Sequence, residues 1–135
     1  MPANKPKVLI VDDDIELRRA LHVRLKANNY DTVYAADALA AMSVAKQEHP
    51  DLIILDLGLP AGDGYVVMQR LHAIPALACI PIIVLSARDA ASNRDKALAA
   101  GCVAFLEKPP DNAVLLSVIR TALGKVEPAA ATTGR

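Results

Sequence analysis

Five short runs of β-branched and leucine-rich residues alternate along this chain with longer, alanine-rich stretches whose apolar positions recur at helical period. That alternation constrains the fold more than any other feature. Strands that run in the same direction need long crossovers, and helical crossovers cover both faces of the resulting sheet. The runs are Val8 to Val11, Thr32 to Ala35, Leu52 to Leu55, Ile82 to Leu85 and Ala104 to Leu106. The first, third and fourth are apolar throughout and belong at the centre, where both faces are buried. Thr32-Val33-Tyr34-Ala35 mixes polar and apolar residues, and the last run is short, so these two belong nearer the edges. The expected fold class is α/β: a single doubly wound, five-stranded parallel sheet with five helices on both faces.

The intervening stretches carry helix signals. Ile15, Leu17, Leu21 and Leu25 mark a buried stripe opposite Arg18, Arg19, Arg24 and Lys26, with Asp14 as N-cap and Asn28-Asn29 as the stop. A second helix is expected from about Ala38 to Gln47, ending before His49-Pro50 because the residue preceding proline avoids helical geometry. A third starts after Gly62-Asp63-Gly64 and fades near Ile74-Pro75. The fourth, Arg88 to Ala100, is closed by Gly101, which suits a left-handed cap. Asp111 or Asn112 caps the fifth, whose apolar face runs from Val114 to Ala122 and ends at Gly124. Residues 1–5 read as an N-terminal tail, 6–124 as the folded domain, and 125–135 as a flexible tail or the start of a linker.

Composition narrows the function. With 135 residues, 53% of them hydrophobic, one domain with an ample core is expected. Fifteen basic residues balance fifteen acidic ones, so no net charge draws the chain directly to nucleic acid or to an anionic membrane. Cys79 and Cys102 form no C-x-x-C pair and read as buried, reduced thiols. The apolar stretch after the basic N-terminus stops at Asp12, too short for a signal peptide, and no run reaches membrane-spanning length. A cytoplasmic location is the expectation. His22, His49 and His72 share no metal-ligand spacing and read as surface residues. Gly58, Gly62 and Gly64 lack the lysine and hydroxyl residue of a P-loop, so ATP is not the expected donor.

Charged groups recur at the carboxyl ends of the strand runs: Asp12-Asp13-Asp14, Asp56, and Glu107-Lys108-Pro109. In an open parallel sheet these ends converge on one crevice. Clustered carboxylates repel one another, and a bound Mg²⁺ (or Mn²⁺), a hard cation that prefers oxygen ligands, would offset that. An ammonium group opposite would favour a phosphoryl group.

In this order the motifs resemble the receiver domains of two-component response regulators, over residues 6–124. The resemblance rests on Asp12-Asp13 after the first strand, Asp56 after the third, Leu59-Pro60-x-x-Asp63-Gly64 following it, Ser86-Ala87 after the fourth, and Lys108-Pro109 after the fifth. It implies the flavodoxin-like strand order 2-1-3-4-5, which periodicity alone does not supply. It also implies that Asp56 is the phosphoacceptor, taking a phosphoryl group from a sensor histidine kinase or histidine phosphotransfer protein. Asp13, Asp56 and the main-chain carbonyl of Gly58 would ligate the metal, and Asp12 would act through a water. Ser86, Ala87, Leu57 and Lys108 would bind the phosphate, and the Lys108-Pro109 bond would be cis. Ser86 and Phe105 would form the switch, read out through the fourth helix, fifth strand and fifth helix. The domain would catalyse only its own phosphorylation and slow self-dephosphorylation, and would not otherwise be an enzyme.

Departures from the family pattern bear on output. Phe105 lacks the hydroxyl that many relatives carry there, and Pro110 stands where many place a phenylalanine. Arg88, two residues after Ser86, is placed to approach the phosphoryl group or its donor, or else to face solvent at a helix start. The output partner is a downstream protein or an effector domain, with homodimerisation on phosphorylation as a further option. Two other readings stand beside the switch: a docking module of the same fold that works without phosphorylation, and an enzyme of flavodoxin-like fold. The scarcity of aromatic residues, with three tyrosines and no tryptophan, argues against a flavin site.

Overall fold

The central runs are apolar on both alternating faces, and in the structure each of them is a strand buried on both sides. The computed structural model describes residues 5–59, 64–87 and 90–124. Strands and helices alternate strictly: β1 (Lys7–Val11), α1 (Ile15–Ala27), β2 (Asp31–Ala35), α2 (Ala38–Glu48), β3 (Leu52–Leu55), α3 (Gly64–Ala73), β4 (Ile82–Ser86), α4 (Ala90–Ala99), β5 (Ala104–Glu107) and α5 (Asn112–Ala122). The sheet has the order β2-β1-β3-β4-β5, and all four pairings are parallel. The expected flavodoxin-like topology is therefore present, with the two polar or short runs at the edges. Residues 60–63 of the expected turn, Arg88, and the terminal stretches 1–4 and 125–135 lie outside the described residues.

Side-chain alternation divides the core into two layers. Val8 and Ile10, Leu52 and Ile54, and Ile83 and Leu85 point to the layer completed by Leu21 and Leu25 of α1 and Leu115 and Ile119 of α5. The intervening residues, Leu9 and Val11, Ile53 and Leu55, and Ile82 and Val84, meet α2, α3 and Ala97 of α4. Burying each large aliphatic side chain contributes about 1.5–3 kcal/mol, so slipping any central strand by one residue would exchange the two layers and mismatch both.

Aspartates fix the starts of α1, α2 and α5. Asp14 accepts hydrogen bonds from the Glu16 and Leu17 N–H groups, Asp37 from Ala40, and Asp111 from Val114. Of the two candidates for the last cap, Asp111 is the one used. The second helix stops because His49, before Pro50, turns left-handed with φ +47°. Gly101 closes α4 with φ +113°.

Two expectations are corrected. Ile15 is 53% exposed rather than part of the buried stripe, because it is the first residue after the cap and lies beyond the reach of the sheet's apolar face. Cys79 is exposed, since it falls in the connection between α3 and β4, whereas Cys102 is buried as expected. Burial also pushes the Cys102 thiol up.

Candidate functional site

The site residues are placed by the sheet's main chain. Val11 pairs in register with Leu55, so the next residues, Asp12 and Asp56, leave adjacent strands side by side. The ladder continues into them: Asp56 N–H donates to Val11 O at 3.0 Å, Asp12 N–H to Ala35 O at 3.0 Å, and Lys108 N–H to Ser86 O at 3.0 Å. Four strand ends thus deliver Asp12, Asp56, Ser86 and Lys108 to one crevice, the place where open parallel sheets bind ligands.

Within it, Lys108 Nζ lies 2.7 Å from Asp12 Oδ2 and 3.4 Å from Asp56 Oδ2. The other oxygens are held by backbone: Asp12 Oδ1 accepts from Asp14 N–H at 2.9 Å, and Asp56 Oδ1 from Gly58 N–H at 3.0 Å. Asp12 and Asp56 are 4% and 7% exposed, so both carboxylates have surrendered most of their water. Asp13 is exposed at the rim. Carboxylate oxygens of Asp12, Asp13 and Asp56 all lie within 4.8 Å of one another, an arrangement that can hold a metal ion. Three carboxylates facing one ammonium leave an excess of negative charge that a cation would balance.

The two partners of the short ion pair respond differently. Burial pushes the Asp12 carboxyl up, outweighing the Lys108 hydrogen bond and the Asp14 N–H, and the Asp56 charge adds to the rise. For Lys108 burial acts downward, but the hydrogen bond and charge of Asp12, with the charge of Asp56, carry its ammonium above the usual lysine range. The asymmetry follows from solvent: the lysine side chain keeps 19% of its surface exposed while that of Asp12 keeps 5%. Desolvation therefore falls harder on the carboxylate, and the pair is one in which the cation is firmly held and the anion is under strain.

Ser86, fully buried, ends β4 opposite Glu107. Ala87 follows it at the surface, Leu57 is fully buried after Asp56, and Gly58 is exposed. The Lys108-Pro109 peptide bond is cis. Phe105 pairs with Val84, two residues before Ser86 on β4, and is 4% exposed within the layer that includes Ala97 and Cys102. Gly64 reveals a constraint beyond turn geometry. A Cβ there would lie 2.7 Å from the Asp56 carbonyl oxygen and 2.9 Å from Leu57 Cα, so α3 starts in direct contact with the main chain of the acidic loop. Sequence reading did not single out Tyr65, the next residue, whose hydroxyl donates to Asn93 Oδ1 at 2.9 Å. Nor did it foresee that His22, read as a surface residue, is half-buried with Nδ1 2.7 Å from Thr32 Oγ1.

A doubly wound sheet of order 2-1-3-4-5 carrying three carboxylates and a lysine at its carboxyl edge defines the class: a flavodoxin-like domain with an acidic pocket that could hold a metal ion. Residues 8–120 match the family model described as "Response regulator receiver domain", and the chain belongs to that family. Among curated relatives, "Probable transcriptional regulator ycf27" of Porphyridium aerugineum is 39% identical over 125 residues, covering 93% of this chain and 51% of the relative. The "DNA-binding dual master transcriptional regulator RpaA" of Synechocystis is 34% identical over 122 residues, covering 90% and 51%. The chain spans about half the length of these relatives. Among solved structures, the Francisella response regulator 1452 receiver domain superposes with a TM-score of 0.81 at 28% identity, covering 89% of this chain and 98% of that one. The chemotaxis response regulator CheY4 of Vibrio cholerae gives 0.81 at 26% identity, covering 87% and 98%.

Proposed function

We propose that this domain is a phosphorylation-activated signalling switch in which Asp56 accepts a phosphoryl group from a phosphohistidine on a sensor kinase or phosphotransfer protein. The observation that carries this reading is the placement of the Lys108 ammonium 2.7 Å from Asp12 and 3.4 Å from Asp56, inside a cluster of three carboxylates. In the transfer an Asp56 oxygen attacks phosphorus, the phosphorus–nitrogen bond of the donor breaks, and the imidazole leaves with its electron pair. Lys108 is positioned to turn from its carboxylate partners toward the oxygens of the arriving group. The buried Ser86 hydroxyl, with the main chain of Leu57 and Ala87 at the crevice wall, would bind the same oxygens. The Gly58 N–H holds the second oxygen of Asp56, orienting the carboxylate for attack.

The donor set fits a divalent cation. Asp12, Asp13 and Asp56 gather carboxylate oxygens within 4.8 Å of one another, the hard oxygen donors that Mg²⁺ or Mn²⁺ prefers. Asp13, Asp56 and the Gly58 carbonyl would hold it, with Asp12 engaged through a water. When bound, the ion supplies positive charge that offsets repulsion between the nucleophile and the phosphoryl oxygens. A water aligned with phosphorus would later hydrolyse the acyl phosphate, giving a self-limiting signal.

Output would run through α4, β5 and α5, with Ser86 and Phe105 as the linked pair. Phe105 is already buried, so its contribution here is packing rather than a phenolic hydrogen bond. The readout would reach a downstream protein or an effector domain, as the greater length of the relatives suggests, with pairing of two copies on phosphorylation as a further option. No described helix is long and apolar enough to cross a membrane, in keeping with a partner met in the cytoplasm. The test is intact mass after incubation with acetyl phosphate, with and without Mg²⁺, for the natural chain and Asp56→Asn. A metal-dependent single-phosphate increment that vanishes in the variant is expected. No increment from acetyl phosphate or from any phosphohistidine donor would overturn the reading in favour of a phosphorylation-independent docking module.

A further inference from the structure

Helix α4 is thinly seated. Of its described side chains only Ala97 is buried, whereas α3 buries Val67, Met68 and Leu71, and α5 buries Leu115 and Ile119. A helix with so little buried apolar surface opens more readily than its neighbours unless polar contacts hold it. Two such contacts, among those of the described residues, converge on one residue of α3. The Tyr65 hydroxyl donates to Asn93 Oδ1 at 2.9 Å, and Lys96 Nζ stands 4.5 Å from the centre of the Tyr65 ring. Asn93 and Lys96 lie one turn apart on α4, so a single tyrosine grips two successive positions of that helix.

Tyr65 is also attached to the acidic loop. Its neighbour Gly64 donates its N–H to Leu57 O at 2.9 Å, and its Cα is so close to the Asp56 carbonyl that no side chain fits between them. A shift of the main chain at Asp56 or Leu57 must therefore move the first residue of α3, and Tyr65 with it. We propose that Tyr65 is a coupling residue that ties α4 to the phosphoacceptor loop, so that the geometry around Asp56 sets how firmly α4 is docked. This route is separate from the Ser86 and Phe105 pair, because it runs through α3 rather than along β4 and β5. The two-state element is α4 itself, docked or locally open.

The docking part needs no ligand and is tested by hydrogen exchange, followed by mass spectrometry, on the full chain with Tyr65→Phe, Asn93→Ala and the double variant. Tyr65→Phe keeps the ring over Lys96 and removes only the hydroxyl. Exchange in α4 is expected to rise about fivefold in each single variant, the factor set by one typical net hydrogen bond. The double variant should rise no further, and peptides from β1 and β3 should not change. Unaltered exchange in α4, multiplication of the two effects, or an equal rise in the strands would overturn the clamp.

The coupling part rests on the phosphoacceptor reading and uses beryllofluoride with Mg²⁺. In the natural chain, α4 exchange should change when the peptide spanning Asp56 becomes protected, and in Tyr65→Phe that response of α4 should be lost while protection at Asp56 persists. An undiminished α4 response in Tyr65→Phe would overturn the coupling. Absence of protection at Asp56 in both chains would instead be a failure of the phosphoacceptor reading, leaving the clamp to be decided by the ligand-free comparison.

Discussion

Replacing Lys108 with methionine leaves Asp12 and Asp56 buried without their cation, and the size of the loss can be bounded from the site. At an effective dielectric constant of 20, the bare Coulomb attraction is about 6 kcal/mol for the 2.7 Å contact and about 5 kcal/mol for the 3.4 Å contact. The measured loss will be smaller, because Asp12 has another way to shed its charge. It can take a proton, which at pH 7 costs about 4 kcal/mol for a carboxyl that titrates near 3.9 in the unfolded chain. That cost is a ceiling for the Asp12 share, and burial already pushes this carboxyl up toward the neutral form. We expect Lys108→Met to lose about 2–4 kcal/mol at pH 7 in metal-free buffer, at and somewhat below the roughly 3–5 kcal/mol for breaking fully buried ion pairs, because the lysine side chain keeps 19% of its surface exposed. The ceiling falls with pH, to about 1.5 kcal/mol at pH 5, since the unfolded chain then comes closer to taking the proton as well. The sign follows: a carboxyl whose folded pKa is raised weighs against the fold at high pH and is relieved as pH falls. Urea unfolding at pH 5, 6, 7 and 8, followed by far-ultraviolet circular dichroism because the chain has no tryptophan, measures the gap directly. A gap of constant size across this series would rule out charging of Asp12 as the cause and assign the loss to packing of the lysine stem instead.

Raising the pH should expose the other half of the pair. The folded pKa of Lys108 is raised, so its stabilising contribution is complete below pH 10.5 and lost as pH climbs through the folded value; a steeper alkaline loss in the natural chain than in Lys108→Met, seen by the same urea titration, is the expected result. Asp111→Ala removes the cap on the Val114 N–H and should cost about 1 kcal/mol in urea unfolding, with Asp111→Gly costing only a few tenths. Gly101→Ala should cost about 1–3 kcal/mol because φ is +113° and the new Cβ would sit 2.4 Å from His72 Cε1. Adding His72→Ala should recover the steric part and leave the backbone part, so full recovery in the double variant would show that backbone strain contributes nothing.

The strands were legible because the apolar runs at positions 8–11, 52–55 and 82–85 allow no polar face, and only a sheet covered on both sides can hide them. Capping aspartates and the glycine after α4 marked the helix ends for similarly local reasons. Ile15 misled because helical periodicity says which residues share a stripe, not whether a sheet lies beneath the whole of it. The acidic cluster was legible from its position after successive strand ends, but the direct grip of Lys108 on Asp12 depends on side-chain reach across non-adjacent strands. Tyr65 escaped notice for the same reason: its partners on α4 are 28 and 31 residues away, and no spacing rule joins them. The pattern of residues revealed each element and its strand end; contacts between elements distant in sequence required the folded chain.

The bonds that hold Asp12, Asp56 and Lys108 in place at the backbone, to Ala35, Val11 and Ser86, use only peptide groups. Any amino acid except proline can make them. The frame is therefore indifferent to the chemistry it carries, and the three positions can change side chains without releasing the strand ends. Such a scaffold could lose the proposed phosphoryl chemistry by one substitution and keep its strand ends hydrogen-bonded, the cost of the change falling on the buried charges, as at Lys108, rather than on the frame. The architecture that makes the pocket dependable is also what makes it easy to inherit, silence and reuse.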